Sequence, residues 1–89
     1  MNNEIFDIQT SKKVDKFLDK NRNIAIKYIE AIEILKISPF YNFLDIKKLK
    51  WKEEKYRLRI WKYRFLYEII EDKILIYFYD AGGRWNIYK

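Results

Sequence analysis

Arginine carries the most suggestive pattern in this chain. Arg57 and Arg59 alternate with Tyr56, Leu58 and Ile60, so a strand over these residues puts both guanidiniums on one face and the apolar side chains on the other. If Trp61-Lys62 is a two-residue turn into a second strand, Ile60 pairs with Tyr63, Arg59 with Arg64, Leu58 with Phe65 and Arg57 with Leu66. Arg57, Arg59 and Arg64 then share a face, opposite an apolar face of Tyr56, Leu58, Ile60, Tyr63, Phe65 and Tyr67. Like charges directly opposed on a sheet cost some tenths of a kcal/mol per pair. A face crowded in this way reads as a site for phosphate oxygens, which guanidinium forks match. The alternative is a solvated face neutralised by carboxylates, with Glu68 correctly placed. Further on, Arg84 and Tyr88 alternate with Trp85 and Ile87, and Gly82-Gly83 reads as a tight turn just before them. Tyr88 becomes a candidate base-stacking or acid/base group.

Lys47, Lys48, Lys50, Lys52 and Lys55, interleaved with Leu49 and Trp51, form either a solvated connector or a basic wall that follows a nucleic-acid backbone. The 19 Lys+Arg exceed the 13 Asp+Glu, and aromatic residues make up 19% of the chain. Such a balance suits nucleic acid, although AT-rich coding enriches the same residue types. The chain has neither Cys nor His. Disulfides, thiolate zinc sites and every triad that depends on histidine or cysteine are therefore excluded. Carboxylate-only Mg²⁺ sites survive on composition, and no cofactor is expected.

The elements that must hold these residues follow from periodicity. The 89 residues make one domain, 1–89. Glu4 to Gln9 reads as a short strand, with Thr10 or Ser11 as the N-cap of a helix bearing Val14, Phe17 and Leu18. A second helix over Ile24 to Ile37 puts Ala25, Tyr28, Ile29, Ile32 and Leu35 on one stripe, and Ser38-Pro39 stops it. Ile26, Ile34 and Ile37 lie off that stripe. They fit a helix sandwiched between the sheet and its sister helix, or an exposed strip that takes a partner chain. From there the period becomes two, with strands at Tyr56–Ile60, Tyr63–Ile70, Ile74–Asp80 and Arg84–Tyr88. Their short links imply antiparallel neighbours. The expected fold is α+β: a strand and helical hairpin, then a meander, with the helices on one sheet face. No 18-residue apolar run and no leader pattern is present, so a cytoplasmic protein with no membrane partner is expected.

Pro39-Phe40, the run Leu44 to Lys50, Tyr56-Arg57-Leu58-Arg59-Ile60, Tyr63 to Ile69 and Gly82 to Tyr88 together resemble the RelE/ParE superfamily of type II toxins, over nearly the whole chain. The resemblance implies the RelE-like fold. It also implies one of two activities, cleavage of messenger RNA in the ribosomal A site (RelE branch) or poisoning of DNA gyrase without nuclease activity (ParE branch). Toxins that bind RNA or antitoxin without cutting form a third class. On the RelE reading, Arg57 and Arg59 hold phosphates, Arg64 stabilises the transition state, Arg84 matches the arginine after the glycine turn, and Tyr88 the C-terminal catalytic tyrosine. The partners implied are the ribosome, mRNA and a RelB-like antitoxin, with a toxin–antitoxin heterotetramer as the assembly. The chain departs from the family pattern at Gly83, where many members carry His or another basic residue, and at the Trp61-Lys62 turn.

Overall fold

The computed structural model describes residues 4–50 and 54–83. The chain runs β1 (Asp7–Thr10), α1 (Lys12–Lys20), α2 (Arg22–Ile37), β2 (Ile46–Lys48), β3 (Lys55–Ile60), β4 (Tyr63–Ile70) and β5 (Leu75–Gly83). Ser11 starts α1: its hydroxyl accepts from the Val14 amide at 3.2 Å and donates to the Tyr79 carbonyl at 3.1 Å. One cap thus satisfies an orphan amide and ties the helix to β5. Asn21 makes the corner between the helices, its side chain donating to the Phe17 carbonyl at 2.8 Å while its own carbonyl accepts from Ile24 and Ala25.

The strands form one sheet in the order β1-β5-β4-β3-β2. The β3–β4 hairpin has the register expected from its two-residue turn, with Ile60 opposite Tyr63, Arg59 opposite Arg64 and Arg57 opposite Leu66. β4 and β5 continue the meander antiparallel, and β1 closes the far edge parallel to β5. Both helices cover the face made by Leu58, Phe65, Tyr67, Ile69, Ile76, Phe78 and Ala81, bringing Val14, Ile24, Tyr28, Ala31 and Leu35 to it. Tyr28 is the hinge of this core, stacked on Phe65 at 5.0 Å and edge-on to Phe78 at 5.1 Å between ring centres.

Several expectations are corrected. Gly82-Gly83 is not a turn: both residues end β5, opposite Arg64 and Tyr63, and no described glycine has a positive φ. β5 reaches that far because β4 offers a full-length partner, with one extra residue, Tyr79, accommodated as a bulge where Leu66 pairs with Asp80 and Tyr67 with Phe78. Ile76, Phe78 and Ala81 are buried as a result. Strict alternation from Phe78 would instead have turned Asp80 inward. The lysine connector contains β2, an edge strand whose three residues are too few to show a period. On α2 the buried stripe is Ile24, Tyr28, Ala31 and Leu35, so Ile29 faces out. Ile26, Ile34 and Ile37 are also exposed, because the nine-residue α1 leaves that side of α2 uncovered. The helix is not sandwiched. The expected strand Arg84–Tyr88 lies outside the described residues.

Candidate nucleic-acid interface

The sheet face turned away from the helices carries the arginines. Arg57 lies in a row across four strands, flanked by Lys47 of β2 and Leu66 of β4, and Leu66 is followed by Asp80 of β5. The next row sets Arg59 against Arg64, with Gly82 beyond. Arg57 and Leu66 are mostly covered, the Arg57 side chain being 12% exposed, as expected where an arginine stem lies over apolar surface.

Asp45, the residue before β2, organises this face. One carboxylate oxygen accepts from Arg57 Nη2 at 2.7 Å and the other from Arg59 Nε at 2.7 Å. Its backbone carbonyl accepts from the Arg59 amide at 2.9 Å. Partial burial raises the Asp45 carboxyl, but the Arg59 hydrogen bond and the charges of Arg57 and Arg59 outweigh it and hold the group below the usual aspartate range. Arg64 donates from Nη1 to the Lys62 carbonyl at 3.1 Å. The Nε atoms of Arg57 and Arg64 are buried without a partner. A guanidinium has five N–H donors, so the cluster keeps most of its capacity for an incoming oxyanion.

Lys47, Lys48 and Lys50 line a groove of 390 Å³ with Leu49, and Arg57 joins them, so groove and arginine cluster are continuous. Lys55 is turned elsewhere: its Nζ pairs with Glu68 at 3.6 Å and sits 4.9 Å above the Tyr79 ring. Glu68 is thus spent on Lys55 and does not neutralise the arginines. Lys52, Arg84 and Tyr88 lie outside the described residues. Sequence reasoning missed Asp45, because nothing local marks it. Only the β2–β3 pairing, itself hidden in three residues, brings it beside Arg59.

Chemically, the face can stabilise negative charge on phosphate. Arginine stays protonated and cannot shuttle a proton. Tyr28, Tyr67 and Tyr79 do not offer a base either. Burial pushes Tyr28 and Tyr67 up, with Asp15 and Tyr56 adding to it, and burial followed by the charges of Asp80 and Glu68 raises Tyr79. Among the described residues no group of three or more acidic side chains could hold a metal ion. No described helix is long and apolar enough to cross a membrane.

No family model matches the chain. It is, however, 36% identical over 86 residues to a curated protein of Methanocaldococcus jannaschii provisionally named toxin RelE1, an alignment that covers 94% of this chain and 96% of the other. Among solved structures, the archaeal RelE–RelB complex of Pyrococcus horikoshii superposes with a TM-score of 0.78 at 22% identity, covering 92% of this chain and 98% of its counterpart. The RelB–RelE complex of Methanococcus jannaschii gives 0.64 at 26% identity over 91% and 95% of the two chains. The isolated Escherichia coli RelE toxin gives 0.66 at 19% identity, over 88% and 83%. These structures share the fold of this chain, two helices on a five-stranded mixed sheet, and the archaeal relative aligned over nearly its whole length places the chain itself: it belongs to the RelE family, the toxins of toxin–antitoxin systems.

Proposed function

We propose that this toxin is a ribosome-dependent mRNA endonuclease that acts in the cytoplasm, cutting by attack of a ribose 2′-OH on the adjacent phosphate without a metal ion. The observation that carries the reading is the convergence of Arg57, Arg59 and Arg64 on one face, continuous with the Lys47–Lys50 groove. In the step itself, the 2′-oxygen bonds to phosphorus as its proton leaves, the bond from phosphorus to the 5′-oxygen breaks to leave a 2′,3′-cyclic phosphate, and the departing 5′-oxygen takes up a proton from water. Arg57, Arg59 and Arg64, joined by Arg84, carry the charge on the pentavalent phosphorane. Tyr88 takes the 2′-OH proton as general base. None of these groups is a good acid for the leaving oxygen. A ribosome that aligns the message offsets that weakness through positioning. Lys47, Lys48 and Lys50, with Lys52, hold flanking phosphates.

The relatives solved as RelE–RelB complexes support a RelB-like antitoxin as the neutralising partner, and a toxin–antitoxin heterotetramer is the assembly proposed for it. Acidic residues of that partner would cover the arginine face. The exposed Ile26, Ile29 and Ile37 of α2 are apolar surface that its remaining length would bury.

The test is primer extension on a message translated in a cell-free extract, comparing the wild type with Arg64→Ala, Arg84→Ala and Tyr88→Phe. Cuts that need ribosomes and fade in all three variants support the nuclease and its site. Growth arrest without cuts at any dose refutes it, and plasmid supercoiling then tests inhibition of gyrase.

A further inference from the structure

We infer that Asp45 is a positioning residue of the arginine cluster: its carboxylate fixes the Arg57 and Arg59 guanidiniums relative to one another for a phosphate that neither would hold well alone. The inference rests on the phosphate-handling role proposed above. Its basis is the shared contact, in which each carboxylate oxygen takes one arginine at 2.7 Å, the short distance of a charge-assisted hydrogen bond.

The carboxylate is itself held in place. The Asp45 carbonyl accepts from the Arg59 amide, so this backbone is part of the β3 ladder. The loop before it is braced by Asn42, which donates to the Ser38 carbonyl at 2.8 Å and accepts from the Leu44 amide at 3.0 Å. The other acidic residues of this face are engaged elsewhere, Glu68 with Lys55 and Asp80 with Lys13 at 2.7 Å. Without Asp45, two like-charged and flexible side chains on alternate positions of one strand would repel one another and sample many rotamers.

The mode of contact separates orientation from obstruction. A carboxylate that blocked the site would occupy the outer edge of a guanidinium, between its two terminal nitrogens. Asp45 instead takes Nε of Arg59, leaving both terminal nitrogens free, and a single terminal nitrogen of Arg57, leaving Nη1. Asp45 therefore orients the donors and consumes few of them.

The experiment measures cleavage of ribosome-bound message over a range of toxin concentrations for the wild type and Asp45→Asn, with thermal melts and the NMR signal of the Arg59 Nε–H alongside. The expected result is a rate at saturating toxin lowered by about 10-fold to 100-fold, with the half-saturating concentration unchanged or lower, because a negative charge has left an RNA-facing surface. The Arg59 Nε–H signal should move and exchange faster. If Asp45→Asn does not fold, Asp45→Glu, which keeps the charge on a longer arm, carries the same test and should also lose rate. A folded variant that cleaves at the wild-type rate overturns the inference, and one that cleaves faster shows an obstructing carboxylate. Loss of rate in step with loss of folded protein leaves Asp45 a structural residue only and overturns it too. Failure of the nuclease reading looks different, since the wild type itself would then cut nothing.

Discussion

Replacing Arg57 with methionine should leave the fold nearly untouched and remove most of the activity. The attraction between Arg57 and Asp45 is about 1–4 kcal/mol for charges some 4 Å apart, depending on the effective dielectric. The 43% exposure of Asp45 puts it near the lower end. Against it stand two costs that the substitution removes. Arg57 and Arg59 sit on alternate positions of β3, about 7 Å apart along the strand, where like charges repel by about 0.6–2.5 kcal/mol. The buried Nε of Arg57 has no acceptor, a penalty of about 1 kcal/mol or more. Methionine keeps an unbranched apolar stem opposite Leu66, and Asp45 keeps Arg59 as its partner. These contributions nearly cancel, so stability should change by no more than about 1 kcal/mol, which is about 4–8 °C in Tm for a chain of this size. Losing one preorganised donor to the phosphorane should cost about 10²–10³-fold in cleavage rate. A melt by circular dichroism and primer extension on translated message measure the two quantities on the same preparation. A fall in Tm of more than twice the stated range would make Arg57 a structural residue and refute the reasoning, as would cleavage at the wild-type rate.

Other consequences can be checked by melting alone. Tyr28 and Tyr67 bury their hydroxyls without a partner, so Tyr28→Phe and Tyr67→Phe should each raise stability by about 1 kcal/mol; an unchanged or lower Tm would show that the hydroxyls are satisfied. Ile74 sits at φ 50, ψ 51, a left-handed conformation that a β-branched side chain tolerates poorly. Ile74→Asn keeps the backbone bonds to Glu71 and Asp7 and should gain about 1 kcal/mol, whereas a loss would mean that the isoleucine side chain outweighs the strain. Asp45 titrates below its ordinary value in the folded chain. Its ion pairs therefore contribute fully above the unfolded aspartate pKa of about 3.9 and are lost as pH falls through the lower folded value. The Tm gap between wild type and Asp45→Asn should then be widest near neutral pH and close in acid; a gap that persists there would locate the stabilisation elsewhere.

The parts of this fold visible in the sequence are those governed by neighbours along the chain. The β3–β4 register followed from a two-residue turn and a period of two, and each named pair is found. Ser11 as a cap is equally local. What stayed hidden depends on distant strands. The parallel pairing of β1 with β5 joins opposite ends of the described chain, and loop lengths carry no trace of it. The bulge at Tyr79 is required because alternation from Phe78 would bring Asp80 into the core, a conflict that appears only once β4 is known to pair on both sides of it. On α2, isoleucine occupies both the stripe and its surroundings. Period alone could not tell the core face from the one left bare, and the packing of α1 decides it.

The site divides along the same line. Alternation placed Arg57, Arg59 and Arg64 on a single face, and the cost of opposing Arg59 to Arg64 was the reason to suspect a ligand. The structure shows how that cost is contained. Glu68, the carboxylate suggested by strand alternation, is taken by Lys55, and the counter-charge comes from Asp45 on a loop ahead of an edge strand. One carboxylate shared by two guanidiniums offsets part of their repulsion and leaves net positive charge on the face. Full neutralisation by one acid per arginine would have given a more stable surface with less to offer a phosphate. The incomplete balance at Arg57, Arg59 and Arg64 is therefore what the proposed phosphate-handling role requires.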